Sequence, residues 1–378
     1  MRARLHAAGL AEIDDKLRAQ ERLGLDDGVR LFECADLLAV GYLANRERER
    51  LHGARTYFNY NLRLETTNVC EATCLFCSFS RLEAGMPQAY TMSLEQAWDK
   101  LRQRGNQQLT EVHVVNGLNP HLPFSYYTDL LRGFKQIRPS IHLKCFTAVE
   151  IAYFADLYKM TDEQVLVELM AAGLDSLPGG GAEIFAPRVR KKISPDKADA
   201  DRYLAIHGSA HRMGMRTNVT MLYGHIETME ERVDHMLRAR AQQDVSGGFQ
   251  AFIPLAFHPD NNQMRKLPAP TGTDTLKVHA VSRLMLDNIP HIKAFWIATG
   301  LELAQQSLWF GVDDLDGTVQ EEKIYHMAGS PTPEGMTTSA LTRLVRATGR
   351  EPYERDTFYN VVNAPSSAAA QASAPAAS

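Results

Sequence analysis

The sequence predicts an α/β fold: a parallel (β/α)8 barrel with an N-terminal helical extension and a disordered C-terminal tail. Three observations carry that expectation. From residue 61 onward, short strand-like apolar runs alternate with longer helical ones. There are eight such pairs, and each parallel crossover needs a helix of its own. The span 61–350 matches the roughly 250 residues and more that such barrels occupy. An open doubly wound sheet uses the same units and stands as the alternative.

Residues 1–60 read as a helical extension. "DDGVRLFECADLLAVGYLANRERERLHG" has apolar residues at about 3.6 spacing and opens on acids that suit a helix N-terminus. The predicted strands are 61–66, 111–116, 141–147, 174–178, 216–223, 249–257, 292–297 and 308–311. Helices are expected over 94–104, 126–137, 161–172, 199–213, 229–243, 274–286 and 301–307, with a last one over 338–348. A short segment, 351–363, follows. The stretch "APSSAAAQASAPAAS" (364–378) buries too little apolar surface to offset its ordering entropy, so disorder is expected there.

Composition excludes several classes of function. Of 378 residues, 44% are hydrophobic and 23% charged, as in soluble globular chains. The formal net charge of −4 gives no global basic field for nucleic acid. "RERER" at 46–50 reads as a solvated helix face. No apolar run reaches the ~18 residues of a membrane span, and the first residues lack the apolar core of a signal peptide. Five cysteines, three of them clustered, point to a reducing cytoplasm and a metal or redox role.

Polar residues gather just after the predicted strands. The cysteines follow the first, "NGLNP" the second, "AVE" the third, "GGGAE" the fourth, "GHIE" the fifth, "HPDNN" the sixth and "VDDLDGT" the eighth. In a barrel these positions form one site. Gly179, Gly180 and Gly181 match no phosphate-loop pattern and read as a close-approach turn. "DDLDG" is not a calcium loop, because Val312 and Lys323 would fall at ligand positions. Asp313, Asp314 and Asp316 read as turn and site residues. His225 and His258 are candidates for substrate contact.

"TTNVCEATCLFCSFSR" (66–81) sets Cys70, Cys74 and Cys77 in a C-x3-C-x2-C pattern. Three chemistries compete. Zinc could take the three thiolates and a distant histidine. Cys74 and Cys77 could form a redox pair. A [4Fe–4S] cluster held by three cysteines would keep one iron open for a ligand. Position after the first strand of a βα series favours the cluster. Cys34 and Cys145 read as plain buried residues.

"CEATCLFC" resembles the signature loop of radical S-adenosylmethionine (SAM) enzymes. "HVVNGLNPHLPFSYY", "LKCFTAVEI", "GLDSLPGGGAEIF", "TNVTMLYGHIET", "GGFQAFIPLAFHP", "RLMLDNIPHIKAFWI" and "FGVDDLDGTVQEEKIYHMAG" resemble the aminofutalosine synthase family over about residues 10–360. The resemblance implies one [4Fe–4S] cluster on Cys70, Cys74 and Cys77, with SAM on the open iron. Phe76 would lie beside the adenine, and the Asn116–Gly117 backbone would meet the methionine amino group. Glu150 and Glu183 would accept from the ribose. The implied reaction joins the 5′-deoxyadenosyl radical to 3-[(1-carboxyvinyl)oxy]benzoate in menaquinone biosynthesis. A reductant such as flavodoxin or ferredoxin is implied as partner. The dicarboxylate substrate calls for cations, with Arg81 first and Arg188, Arg283 and Lys293 behind it. His225, His258 and Asp314 complete the expected substrate side. The cyclase of the same pathway, which abstracts hydrogen, and a zinc or redox sensor are the alternatives. Where the family usually reads Gly-Gly-Leu-His-Pro, this chain has Asn116-Gly117-Leu118-Asn119-Pro120. Asn116 is expected to accept the glycine's backbone angles, whereas Asn119 lacks a histidine's proton-transferring ring.

Overall fold

The computed structural model describes residues 1–363. The expected disordered tail, 364–378, lies outside the described residues. Four helices come first: Arg2–Ala7, Ala11–Arg18, Leu25–Glu33 and Leu37–His52. The strands are β1 (Arg55–Asn59), β2 (Asn61–Leu64), β3 (Glu111–Val114), β4 (His142–Cys145), β5 (Thr217–Tyr223), β6 (Phe249–Ala256), β7 (His291–Ile292), β8 (Asp314–Gly317), β9 (Glu351–Arg355) and β10 (Val361–Asn363).

β2, β3 and β4 pair in parallel, as do β5, β6 and β7. Three thinner joints close these sheets into a barrel. Lys144 bridges to Ser176, and the Asn218 amide donates to the Leu177 carbonyl at 3.3 Å. Lys293 bridges to Asp314 in β8, and Gln320, just past β8, bridges back to Leu62. Helices such as Leu94–Arg102, Phe124–Ile137, Ala200–Arg212 and Met229–Ser246 form the crossovers. Several start on a local signal. Ser93 with Gln96, Thr147 with Glu150, Thr161 with Gln164 and Thr228 with Glu231 form reciprocal caps that satisfy two orphan amides each.

The strand reading needs four corrections. The fourth run, 174–178, makes only a bridge, because Pro178 brings no amide donor and Gly179 follows it. In the seventh run β7 spans only His291–Ile292, and Trp296–Thr299 is already helical. Residues 308–311 form a turn, and the eighth strand is the acidic "DLDG" itself. That strand is stable inside the barrel because its acids are neutralised: Asp314 by Arg355 at 2.6 Å, Asp316 by Arg63 at 2.6 Å and Lys293 at 3.2 Å. Finally, the N-terminal segment is not helical throughout. β1 lies within it and pairs in parallel with β8 and β9.

β9 and β10 therefore seal the N-terminal end of the barrel, its floor. Arg355 is fully buried there against Asp314. Glu111 accepts from Lys144 at 2.6 Å and from the Thr357 hydroxyl at 2.8 Å. Tyr359 stacks on His291 with centroids 3.4 Å apart, and His291 pairs with Asp313 at 2.6 Å.

Candidate active site

A cavity opens at the C-terminal ends of the strands. Cys70, Cys74, Cys77 and Phe76 line it from the loop after β2, and Asn116 and Gly117 from the loop after β3. Glu150, Gly179, Gly180, Gly181 and Glu183 line the next sector, and His258 the sector after β6. Polar residues from five separate stretches thus meet in one space.

The cysteine loop is held by its backbone. The Cys70 amide donates to the Arg81 carbonyl at 2.8 Å, and the Cys77 amide to the Cys74 carbonyl at 3.2 Å. Thr73 donates through its amide to Asp196 at 2.7 Å. Cys70 and Cys74 are buried and Cys77 is half-buried. Burial pushes the Cys74 thiol up to about 12, although Lys197 acts against the rise. Buried thiolates here therefore require a neighbouring cation. Lys197 is one, 2.6 Å from Glu183 and 5.2 Å from the Phe76 ring centre. Cys34 and Cys145 lie outside this cavity, both buried.

The Asn116 side chain accepts from the Thr66 amide at 2.7 Å and the Thr66 hydroxyl at 2.9 Å, while its buried Nδ2 has no partner among the described residues. Its backbone does not adopt positive φ, so the expected glycine-like angles are not needed. Gly117 is required for another reason: a Cβ there would stand 2.3 Å from the Val69 carbonyl oxygen. Gly179 approaches the β5 backbone in the same way, 2.8 Å from the Val219 carbonyl carbon, as the close-approach reading expected.

Glu150 and Glu183 differ. Glu150 accepts from the Thr147 amide at 2.7 Å and the Asn116 amide at 3.1 Å, so much of its capacity supports the loop after β3. Burial pushes its carboxyl up to about 7. Glu183 sits at φ +47° with its carboxylate on Lys197. His258 lines the cavity, and its Nε2 donates to the Ala298 carbonyl at 2.8 Å.

Three expected substrate residues lie elsewhere. Arg81 gives its guanidinium to the carbonyls of Ser78, Ser80 and Pro87 and to Gln88, at 2.7–3.1 Å, and so ties down the cysteine loop. The His225 side chain is fully buried against Glu227 at 3.0 Å and the Leu222 carbonyl at 3.1 Å. Asp314 begins β8, at the floor, on Arg355. Among the weaker candidates, Arg188 pairs with Glu231, Arg283 with Asp313 and Lys293 with Asp316. Asn119 is turned away too: its side chain bridges Thr67, Thr91 and the His121 amide.

The cavity also holds residues the sequence reading passed over: Arg63, Lys197, Phe295, Glu322 and Tyr325. Arg63 carried a signal. In "NLRLET" it alternates with Leu62 and Leu64, which sets it on the opposite face of the strand.

His52, His291 and Asp313 bring ligand atoms within 4.8 Å of one another at the floor. This trio is already satisfied. Arg283 takes Asp313, and His52 donates to the Pro290 carbonyl at 2.9 Å. The three-cysteine cavity fits a metal cluster better. It offers soft thiols, a nearby cation, an unpartnered amide at Asn116 and a close-approach glycine.

Comparison with known proteins agrees with that chemistry. Residues 64–239 match the family model for the radical SAM superfamily, and 246–368 that for the CofH/MqnC C-terminal region. An aminodeoxyfutalosine synthase of Thermus thermophilus is 47% identical, covering 93% of this chain and 96% of its own. The chain belongs to the aminodeoxyfutalosine synthase family of radical SAM enzymes. A second family member, from Streptomyces coelicolor, is 44% identical over 94% of this chain and 95% of its own. The crystal structure of methylornithine synthase shares the fold, with a TM-score of 0.72 at 15% identity over 90% of this chain and 96% of that one. Membership implies a [4Fe–4S] cluster and SAM. Among the described residues, no helix is long and apolar enough to cross a membrane.

Proposed function

We propose that this enzyme joins the 5′-deoxyadenosyl group of SAM to 3-[(1-carboxyvinyl)oxy]benzoate with consumption of one water, giving 6-amino-6-deoxyfutalosine, methionine and bicarbonate. The observation that carries this reading is the 47% identity to a relative named aminodeoxyfutalosine synthase over nearly the whole of both chains. The cavity's residues support it.

Cys70, Cys74 and Cys77 are the residues that would hold the cluster, one [4Fe–4S] with three protein ligands. When bound, the cluster and SAM supply a 5′-deoxyadenosyl radical. Lys197 offsets the negative charge of the thiolates. Gly117 lets its backbone pack against the Val69 carbonyl of the cysteine loop, which sets the Asn116–Gly117 segment beside the place where the methionine end of SAM would lie. Phe76 offers a face to the adenine. Glu183 is the better ribose acceptor, since Glu150 is largely committed to the loop after β3. Val115, Leu222, Ile253 and Leu255 line the cavity and exclude water from a reactive carbon. The protein's main contribution is orientation: the vinyl carbon must sit about 3–3.5 Å from C5′. A cytoplasmic reductant such as flavodoxin or ferredoxin would supply the electron.

The test is an anaerobic assay of the reconstituted enzyme with SAM, a reductant and the enol ether, read by mass spectrometry. A product with the mass of 6-amino-6-deoxyfutalosine supports the reading. SAM cleavage that never yields such a product overturns it.

A further inference from the structure

We propose that Arg63 anchors the ring carboxylate of the aryl enol-ether substrate, with Phe295 as the surface beside which the ring lies. This rests on the substrate reading above and assigns its binding mode.

Arg63 lines the cavity, and its side chain is only 15% exposed. Nη2 donates to Asp316 at 2.6 Å, the one hydrogen bond its side chain makes among the described residues. Nε is buried with no partner among the described residues. An unpaired buried donor is costly, and its presence in a cavity wall points to a ligand. The planar guanidinium matches a carboxylate bidentately. It also lies over the Phe295 ring, 4.4 Å from the centre, and Tyr325 meets Phe295 edge-on at 5.6 Å. An aromatic acid offers both things this corner recognises, a flat apolar ring and a carboxylate.

The surrounding charges leave room for one anion. Asp316 is shared between Arg63 and Lys293. Glu322, also on the wall, pairs with His326 at 3.1 Å. Glu65 is pushed up to about 8 by burial and by Glu322, so its own negative charge is disfavoured. Burial holds the His113 ring well below its ordinary range, hence uncharged. Arg63 and Lys293 against Asp316 leave one positive charge. Across the cavity, Lys197 serves Glu183 and the cysteine thiols and not this corner.

Depth decides which carboxylate. Arg63 is in register with His113. Asn116, at the edge assigned to SAM, lies three residues further along. At about 3.3 Å per residue that is roughly 10 Å. The ring carboxylate is the end of the substrate farthest from the vinyl carbon. Anchored low on Arg63, it leaves the vinyl group pointing up toward SAM.

The test compares two ligands by equilibrium dialysis against reconstituted, SAM-loaded enzyme: the dicarboxylate, and 2-phenoxyacrylate, which lacks the ring carboxylate. Wild type should bind the dicarboxylate about 100-fold more tightly, as expected for a charge-assisted pair. In Arg63→Gln that preference should vanish while 2-phenoxyacrylate binds as before. In Arg63→Lys, which keeps the charge without the fork, it should fall between. The lysine variant decides the matter if the glutamine variant loses its iron. An unchanged preference in the variants overturns the anchor, as does equal weakening of both ligands. Wild-type enzyme that neither binds nor converts the dicarboxylate overturns the substrate reading and the anchor together. Conversion by wild type with preference kept in the variants overturns the anchor alone.

Discussion

At the floor of the barrel, Glu111 and Asp313 are held well below the usual carboxylate range; at the mouth, Glu65 and Glu150 are pushed up, to about 8 and about 7. All four are buried. Burial raises every one of them. At the floor it is outweighed, chiefly by Lys144 for Glu111, and by His52, His291 and Arg283 for Asp313. At the mouth the opposing contacts are too few. The floor pairs its charges with one another and so holds the fold together. Unpartnered buried polar atoms occur at both ends among the described residues, Glu65 Oε2 and Asn116 Nδ2 at the mouth and Tyr359 Oη at the floor. What sets the mouth apart is buried carboxyls that no cation holds low, at a cost in stability that the ion pairs of the floor help to offset.

The largest expected effect comes at the mouth. Cys70→Ala, Cys74→Ala and Cys77→Ala should each abolish SAM cleavage and strip the protein of most of its iron, about four per chain in the wild type. Cys34→Ala and Cys145→Ala should keep it. Iron lost from the Cys145 variant but not from a mouth variant would break the comparison.

At the floor, the loss should be in folding. Arg355→Met leaves Asp314 buried without its cation, which should cost about 3–5 kcal/mol. Denaturant midpoints at constant slope would measure it. A cost well under 1 kcal/mol would mean that the floor is not held by its charges.

The smallest effect is in pH dependence, and it sharpens the contrast. Glu65 titrates higher folded than its ordinary 4.5, so the folded state binds the extra proton between 4.5 and about 8. Its contribution is fully present below the ordinary value and is lost as pH rises through about 8. The lowered carboxylates of the floor act oppositely, losing their contribution as pH falls below the ordinary range. Glu65→Gln should therefore flatten the decline in stability between pH 5 and pH 8 and leave the acid limb unchanged. An unaltered decline would show that Glu65 already ionises in the folded protein.

Much of this was legible in the sequence because it is local. Thiol spacing, helix caps and apolar periodicity each act over a few residues, and the cysteine loop, the crossovers and the close-approach turn at Gly179 followed from them. What was not legible depends on partners far along the chain. "DLDG" makes a poor strand by composition and becomes β8 only because Arg355, Lys293 and Arg63 meet its acids. β1 exists because β8 and β9 flank it. Proximity in sequence misled for Arg81: four residues after Cys77, it turns back onto the loop's own carbonyls. Arg63, seven residues before Cys70, reaches the cavity because strand alternation turns it inward.

The account is tested most directly by following the adenosyl carbons. SAM labelled with heavy carbon throughout its adenosyl part is turned over anaerobically with the unlabelled enol ether, and product and 5′-deoxyadenosine are quantified by mass spectrometry. A mouth that holds the vinyl carbon against C5′ predicts a product carrying every labelled carbon, with 5′-deoxyadenosine only as a minor abortive species. An unlabelled product, with 5′-deoxyadenosine formed one-for-one with turnover, would contradict it and assign the enzyme hydrogen abstraction instead.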